Sequence, residues 1–309
     1  MLQYRHIKEP TNEILAYIDG RRKGAFKSLR TRWVKFNKQC MGGIEPSTIY
    51  TFAGVSGSGK SSFMNSLESD LFDNNVDEDF IVLSFNFEML SSRQVGRKLS
   101  YRMKKTTSEL YSGSTDETSR LKDEDFSSIQ KHAERIKKYP IFYVDSPGTV
   151  DEIAETVEHF QKTLAFDKWL LVILDHTLLT RGVSGDNERK VLYELQKVFM
   201  QAKKVGRTTI LQVSQMNRDI ENSDRINNSH MHYPMRKDIF GGDSVFQASD
   251  YVVVLHRPEL LGIKEYGPSG TVCKNIVFLH FLKVREGEPK ILKFENNLKY
   301  NSIEEIEEI

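Results

Sequence analysis

The chain of 309 residues has little cysteine, no long apolar run and almost no excess charge. Cys40 and Cys273 are its only cysteines, which excludes a disulfide framework and favours a reducing compartment. The longest apolar run, Trp169–Leu174, is far shorter than the roughly 20 residues of a membrane span. The N-terminus is polar and lacks the apolar segment of a secretory signal. These absences predict a cytoplasmic protein that does not engage a membrane.

The near-zero net charge excludes few classes of protein. Forty-four Lys and Arg against 43 Asp and Glu give a formal net charge of +1. A protein that coats nucleic acid with its whole surface is usually more basic, although a local basic loop is enough for binding. Hydrophobic residues make up 39% of the chain, which is enough for a full core and excludes a disordered or fibrous protein.

Residues 1–30 differ from the rest of the chain. Ile14, Leu15 and Ile18 recur at helical spacing and predict a short helix over Asn12–Ile18, which ends near Gly20. This helix either packs on its own domain or forms an arm that docks elsewhere, for example on another subunit. We therefore divide the chain into an arm, residues 1–30, and a single main domain, residues 31–309.

The main domain alternates strands and helices, which predicts an α/β fold with a mostly parallel sheet and helices on both faces. The predicted strands are Thr48–Ala53, Phe80–Phe87, Pro140–Val144, Trp169–Leu174 and Thr208–Val213. The predicted helices are Ser61–Phe72, Ser91–Lys104, Phe126–Lys138, Thr149–Leu164 and Glu188–Val205. Three later strands, with no long helix between them, predict a β-rich tail that extends the same sheet: Tyr251–His256, Ile276–Val284 and Lys290–Phe294.

A P-loop pattern, G-x-x-x-x-G-K-[ST], occupies Gly54–Ser61 between the first predicted strand and its helix. Its glycines allow backbone N–H groups to face a phosphate, and the helix adds its positive end. Lys60 can reach the β- and γ-phosphates, and Ser61 can ligate Mg²⁺. The pattern predicts that the chain binds a nucleoside triphosphate. The predicted nucleotide-binding residues are Gly54, Val55, Ser56, Gly57, Ser58, Gly59, Lys60, Ser61 and Ser62.

Three polar residues at predicted strand ends indicate hydrolysis rather than binding alone. Asp175 follows a buried strand, the position of a metal-site aspartate in P-loop enzymes, although an Asp can simply cap a strand. Glu88 follows another strand and could take a proton from the attacking water, unless it only begins a loop. Gln215 ends a third strand, where its amide could touch the γ-phosphate or the water. Together they predict an ATPase.

Lys283 and Arg285 lie near the end of a late strand, and strand alternation places them on one face. Two adjacent cations on a rigid strand suit a polyanion, and they could act as an arginine finger on the nucleotide of a neighbouring subunit. The simpler alternative is two solvated charges beside a hairpin.

The ordered series of motifs resembles the RecA-like core of DnaB-family replicative helicases, the hexameric superfamily 4 type, over about residues 31–300. The matching segments are Gly42-Gly43, the P-loop, Phe87–Met89, Leu174–His176, Val213–Arg218 and Lys283–Gly287. Only the P-loop is a specific motif by itself. The other motifs support the resemblance because they occur along the chain in the same order as in the family.

The resemblance implies a RecA-like P-loop ATPase fold and a ring-forming, ATP-dependent DNA helicase, a homohexamer that uses ATP and Mg²⁺. It implies translocation on single-stranded DNA, 5′ to 3′, with duplex unwinding. The resemblance also implies roles for single residues. Lys60 and Ser61 would bind phosphate and Mg²⁺, Asp175 would bind the metal, and Glu88 would activate the attacking water. Gln215 would couple the γ-phosphate to the DNA loops, Arg285 with Lys283 would reach across the subunit interface as a finger, and Arg257 and Tyr300 would enclose the base.

One segment departs from the family pattern. Where the family reads roughly D-L-R-E-S-G, this chain reads DIFGGD at Asp238–Asp243, so Phe240 stands at the arginine position. Nearby cations or backbone N–H groups could replace the phosphate contact. The candidates for DNA binding are Arg218, Arg236, Lys237, Gly241 and Gly242. We expect the polar loop Met216–Asp243, which also contains Arg225, to be flexible and functional, with Arg181–Asn187 as a second pore loop.

The family's N-terminal domain, which engages primase, has no room in residues 1–30, and Asn12–Ile18 could instead dock on the adjacent subunit. A compact core of this kind fits a helicase encoded by a virus or plasmid that acts in the host cytoplasm, with a primase or loader as a further partner. Three rivals stay open: a RecA-like recombinase or clock-type ATPase, a P-loop kinase, and a non-catalytic loader or scaffold. Glu88 and Gln215 argue against the kinase, and Glu88 with Asp175 against the scaffold.

Overall fold

The structure, a computed structural model, describes residues 4–113, 121–182 and 187–306. Its strands are β1 (Ile49–Gly54), β2 (Phe80–Asn86), β3 (Ile141–Val144), β4 (Trp169–Asp175), β5 (Arg207–Gln215), β6 (Tyr251–His256), β7 (Glu265–Tyr266), β8 (Thr271–Val272), β9 (Ile276–Val284), β10 (Ile291–Asn297) and β11 (Ser302–Glu305). Its α-helices are α1 (Lys8–Arg22), α2 (Val34–Gln39), α3 (Lys60–Asn74), α4 (Ser91–Met103), α5 (Thr107–Leu110), α6 (Asp123–Ile136), α7 (Val150–Lys162), α8 (Glu188–Ala202), α9 (Ser223–Ile226) and α10 (Gly242–Ala248).

Nine strands form one sheet in the order β11-β10-β9-β6-β1-β5-β4-β2-β3. The six strands from β6 to β3 are parallel, and β9, β10 and β11 continue the sheet antiparallel. The central strands β1, β2, β4 and β6 are buried along their whole length because helices cover both faces, as in other parallel sheets. The predicted α/β fold with a β-rich C-terminal extension is confirmed.

Apolar cores fill both faces of the sheet. On one face, α2 and α3 pack aromatic side chains on the sheet; the rings of Trp33 and Phe63 stack 4.8 Å apart, and Phe52 lies 5.0 Å from Phe63. On the other face, α7 and α8 bury residues such as Val157 and Phe199 against the strands. Rigid packing of this kind fixes the strand ends from which the site residues project. None of the described helices is long and apolar enough to cross a bilayer.

The N-terminal helix is longer than predicted, since α1 runs from Lys8 to Arg22 rather than over Asn12–Ile18. Pro10 lies in its first turn, where the missing N–H has no intrahelical partner to lose. Gly20 lies inside the helix, where only a residue without a side chain fits beside the ring of Phe26; a Cβ there would approach Phe26 Cδ2 to 2.2 Å. The helix thus begins four residues before the predicted start and ends two residues after Gly20.

The apolar side of α1 is exposed. Ile14, Leu15 and Ile18 are 51%, 58% and 55% exposed, and the helix buries none of its residues. Its contacts with the main domain include hydrogen bonds from Tyr17 Oη and Arg21 Nη1 to the Glu45 carboxylate, at 3.0 and 3.1 Å. The helix is therefore tied to the main domain by polar contacts, while its apolar stripe faces outward.

The sequence did not predict β11, which joins the two ends of the main domain. The Trp33 indole donates to the Ile303 carbonyl at 3.1 Å. The Glu305 carboxylate accepts from the backbone N–H groups of Lys35 and Phe36, at 2.9 and 2.7 Å, and thus caps the start of α2. These partners are about 270 residues apart in sequence, so no local pattern reveals them.

Residues 216–243, predicted as a flexible loop, contain short helical elements. The segment folds into α9 and short 3₁₀ turns, and asparagine side chains cap several of these. Arg225 is buried, pairs with Asp238 at 2.6 Å and donates to the carbonyls of Met231 and Tyr233. Polar residues that look solvated in sequence instead satisfy backbone groups of the segment itself. The Arg225 guanidinium is consequently occupied by partners within the segment.

Candidate nucleotide-binding site

The carboxyl ends of β1, β2, β4 and β5 meet at one edge of the sheet, where Gly54 is in register with Gln215 and Asn86 with Asp175. A cavity of about 320 Å³ opens there. It is lined by Ser56, Gly57, Gly59, Lys60, Ser61, Ser62, Glu88, Arg97, Asp175, His176, Val213, Gln215, Arg257 and Leu298. Most of the predicted nucleotide-binding and catalytic residues therefore converge on one cavity.

The P-loop turns into α3 through Gly59, whose φ of 97° favours glycine. A Cβ at Gly59 would also lie 2.7 Å from the Leu298 side chain. The N-terminus of α3 consequently points into the cavity, a geometry that attracts phosphate. The predicted nucleotide-binding residues Gly54, Val55 and Ser58 are not among the described residues that line the cavity; a Cβ on Gly54 would meet Ser58 Oγ at 2.4 Å.

Lys60 is the buried cation of this cavity. Its Nζ donates to the carbonyls of Gly54 and Val55, at 2.8 and 2.9 Å. Burial lowers the pKa of Lys60, and the carboxylates of Asp175 and Glu88 oppose that shift. A bound phosphate would supply a stronger acceptor than two carbonyls, because hydrogen bonds between ionised groups are the stronger kind.

Asp175 is buried, and burial, followed by repulsion from Glu88, raises its pKa to about 6. Its Oδ1 is buried without a hydrogen-bond partner among the described residues. A buried carboxylate oxygen without a partner is a fitting ligand for a hard cation, and Ser61 lines the same cavity. Nowhere in the described ranges do three or more His, Cys, Asp or Glu side chains form a metal cluster, and Mg²⁺ bound with phosphates needs only one or two protein ligands.

Gln215 connects the cavity to the segment that follows it. Its Nε2 donates to His176 Nε2 at 2.5 Å, and burial lowers the pKa of His176, so that this ring nitrogen is free to accept. The backbone carbonyl of Gln215 accepts from the N–H of Phe240 at 2.9 Å. Met216 and Ile239 pair as an isolated β-bridge beside this bond. Gln215 and Phe240 are thus joined by one backbone hydrogen bond.

Arg97, which the sequence analysis missed, lines the cavity from α4 and lowers the pKa of Asp175 by its charge. Gln94, one helical turn earlier, donates to Asp175 Oδ2 at 3.4 Å. Residues three apart share a face of a helix. The sequence did carry a signal, because α4 follows Glu88 directly and must start at the same sheet edge.

Behind Gln94 lies a buried polar chain that the sequence analysis also missed. Lys98 is fully buried, forms an ion pair with Glu68 and donates to Asn65 Oδ1 at 2.8 Å. Asn65 Nδ2 in turn donates to Gln94 Oε1. The chain connects α3 and α4 to Asp175, so the position of Asp175 depends on groups deep between two helices.

Lys283 and Arg285 lie at the opposite edge of the sheet. Lys283 is in register with Val252 near the amino end of β6, whereas the P-loop follows the carboxyl end of the parallel strand β1. Lys283 Nζ donates to the Phe246 carbonyl at 2.7 Å, and Arg285 Nε lies 3.1 Å from Asp250 Oδ1. The side chain of Arg285 is 52% exposed. The pair does not belong to the cavity of its own chain.

Arg257 and Tyr300 differ in position. Arg257 lines the cavity and donates to the Gly57 carbonyl at 3.0 Å, and its Nε is buried without a partner among the described residues. Among the described residues that line the cavity, Leu298 is present and Tyr300 is not. A role for Tyr300 at the base would require another arrangement of the turn Leu298–Tyr300.

The candidate DNA-binding residues separate into two groups. Lys237, Gly241 and Gly242 line a second groove. Arg236 is tied to Asp243 at 2.7 Å, and Arg218 is exposed on a 3₁₀ turn. The other predicted pore loop, Arg181–Asn187, lies outside the described residues at positions 183–186.

Comparison with known proteins gives one family. A family model, the DnaB-like helicase C-terminal domain, matches residues 28–305. The replicative DNA helicase DnaB of Mycobacterium leprae (strain TN) is 28% identical over 179 residues, 57% of this chain and 27% of that protein. The same helicase of Mycobacterium intracellulare is 26% identical over 178 residues, 57% of this chain and 28% of that protein. The match thus covers little more than a quarter of each relative.

Two solved structures share the fold. One of them, an isolated ATPase domain, superposes with a TM-score of 0.78 at 17% identity, covering 96% of this chain and 98% of that one. A DnaB-like replicative helicase, solved in a study of its interactions with primase, gives a TM-score of 0.78 at 16% identity over 99% of this chain and 68% of that one. At these identities the likeness concerns the fold.

Proposed function

Because the chain belongs to the DnaB-like helicase C-terminal domain family, we propose that it is an ATP-dependent DNA helicase that forms a ring. It hydrolyses ATP at subunit interfaces and couples hydrolysis to translocation on single-stranded DNA and to duplex unwinding. The observation that carries this proposal is the cavity in which the P-loop, Glu88, Asp175 and Gln215 meet at one sheet edge.

The residues of the cavity have separate roles in the proposed reaction. The P-loop N–H groups and Lys60 bind the phosphates, and Glu88, which is exposed to the cavity, takes the proton of the attacking water. Ser61 and Asp175 would hold Mg²⁺, which would supply positive charge to the phosphates when bound. Arg97 adds a cation at the same side as Asp175. Arg257 lies beside Gly57, where it can flank the base.

The two cations at the far sheet edge fit a site shared between subunits. Arg285 is half exposed and its partner Asp250 also accepts from Lys203 at 2.6 Å, so Asp250 stays paired when Arg285 turns away. In a ring, this edge faces the nucleotide of the next subunit. Arg285, with Lys283 beside it, then stabilises charge on the transferring phosphate, as an arginine finger does.

The proposal also assigns a role to each of the two parts of the chain. Residues 31–309 form the ATPase domain, and residues 1–30 form an arm. The outward apolar stripe of α1 supports docking on an adjacent subunit. Single-stranded DNA and further copies of this chain are the partners, with a primase or loader as another, and the protein acts in the cytoplasm.

The test is the ATPase rate with and without single-stranded DNA, followed by unwinding of a forked duplex. We expect stimulation and unwinding, and Lys60→Ala abolishes hydrolysis because the phosphates lose their cation. Stimulation without unwinding would instead favour a recombination-type ATPase. Absence of stimulation would refute the DNA role.

The shared site has its own test. Arg285→Ala should abolish hydrolysis while nucleotide binding persists, since Arg285 lies outside the cavity of its own chain. Lys203→Ala, which removes the other cation on Asp250, is the matched control and should keep most of the turnover. Full turnover in Arg285→Ala would contradict the finger assignment.

A further inference from the structure

A second groove lies beside the segment that is hydrogen-bonded to Gln215. Its volume is about 560 Å³, against about 320 Å³ for the nucleotide cavity. Its walls come from α8, from residues 237–241 and from α10, and they include Arg189, Tyr193, Lys237 and Phe240. The groove is therefore larger than the P-loop cavity.

Two aromatic rings face this groove without an aromatic partner. Tyr193 is 52% exposed, although the adjacent Leu192 is 1% exposed and packs inward. Phe240 is half-buried. Neither ring contacts another aromatic ring in the part of the chain that the structure describes. Exposed aromatic faces in a groove are the usual platform for nucleic-acid bases, because every base offers a π-face.

Cations accompany the rings. Arg189 and Lys237 are exposed, and neither side chain forms an ion pair within the described ranges. Lys197, which pairs with Glu194 at 3.0 Å and is not among the described residues that line this groove, places its Nζ 4.5 Å from the centre of the Tyr193 ring. A groove with aromatic faces and unpaired cations matches the chemistry of a single strand, in which flat bases alternate with phosphates.

We propose that this groove binds single-stranded DNA by stacking a base on Phe240, with Tyr193 as a second platform and Arg189 and Lys237 beside the phosphates. The proposal rests on the proposed helicase function and adds the mode of contact. It also explains the departure at Phe240: the position contacts a base face, where an arginine would contact a phosphate.

The backbone of Phe240 connects the proposed stacking site to the nucleotide cavity. Its N–H donates to the Gln215 carbonyl at 2.9 Å, and Gln215 lines the nucleotide cavity. Asn217 adds a side-chain hydrogen bond to the Lys237 carbonyl at 2.6 Å. A base on Phe240 would therefore be linked to the nucleotide cavity through Gln215, which is hydrogen-bonded to Phe240 and lines that cavity.

The experiment compares two probes on the full chain with a non-hydrolysable ATP analogue: a labelled oligothymidylate, and an abasic strand of the same length and charge. Wild type should bind the oligothymidylate more tightly. Phe240→Leu, which keeps apolar volume without a ring, should lower that affinity roughly fivefold to a hundredfold and leave the abasic strand almost unaffected. Phe166→Ala, at a 78% exposed phenylalanine outside the groove, is the matched control.

Two further variants sharpen the result. Phe240→Trp should restore the tighter binding of oligothymidylate relative to the abasic strand. Oligothymidylate should quench the fluorescence of the new tryptophan, and the signal can be assigned to it since the native Trp33 and Trp169 are buried. Lys237→Ala should weaken both probes equally and reduce the salt slope by about 1. If wild type binds both probes alike, or Phe240→Leu discriminates as wild type does, the stacking proposal is overturned while the helicase proposal stands. If wild type binds neither probe, both are overturned.

Discussion

Replacement of Asp175 by asparagine should make the nucleotide-free protein more stable. Burial and the nearby Glu88 raise the pKa of Asp175 from 3.8 to about 6. A carboxyl group with a raised pKa in the folded state holds its proton more tightly there than in the unfolded chain. Stability is therefore lost as the pH rises from about 4 to about 6, and the whole cost is present at neutral pH.

The difference between about 6 and 3.8 corresponds to roughly 3 kcal/mol near pH 7.5 and to about half of that near pH 5. Asp175→Asn removes the ionisation and should recover this free energy of unfolding, in metal-free buffer without nucleotide. The same variant should lose ATP hydrolysis, because the proposed metal ligand is gone. The site is then stabilised by the change that inactivates it.

Urea unfolding at the two pH values measures the effect, with the hydrolysis rate as the second readout. Glu88→Gln is the matched control: it removes the repulsion but leaves Asp175 buried, so it should recover a smaller part, and the two changes should not add. A gain that does not change with pH, or a loss of stability near pH 7.5, would refute the reasoning.

Three further predictions concern buried polar groups. Lys98→Met leaves Glu68 buried without its cation and should lower the free energy of unfolding by about 3–5 kcal/mol, whereas Lys98→Met with Glu68→Leu should recover most of it in a double-mutant cycle. Gln94→Leu removes a hydrogen bond that lowers the pKa of Asp175, so in metal-free buffer the loss of stability between about pH 5 and about pH 7.5 should be larger than in wild type; a smaller loss would contradict this. Arg225→Met should raise amide hydrogen exchange across residues 217–240, and unchanged protection would show that the buried ion pair does not order the segment.

The sequence predicted what depends on local pattern. Apolar runs such as Trp169–Leu174 predicted buried parallel strands, and the P-loop with its flanking strand and helix predicted the phosphate-binding turn. Residues that directly follow strands, Glu88 and Asp175, could be placed because all parallel strands end at the same edge. The roles of these residues stay predictions.

Contacts between residues far apart in the chain could not be predicted from the sequence. The capping of α2 by Glu305 and the pairing of Arg225 with Asp238 depend on which segments meet in space, and a polar residue in sequence shows no sign of a buried partner. The same applies to Lys98, whose side chain would be assigned to solvent on composition alone.

The sequence by itself determined the phosphate-binding loop, the strand ends and the order of the motifs, because these follow from backbone periodicity and from the chemistry of short segments. Only the tertiary structure decided which edge carries Lys283 and Arg285, and that Phe240 borders a groove while hydrogen-bonded to Gln215. Sheet order and antiparallel extension bring together residues far apart in the chain, and no local rule specifies those distances.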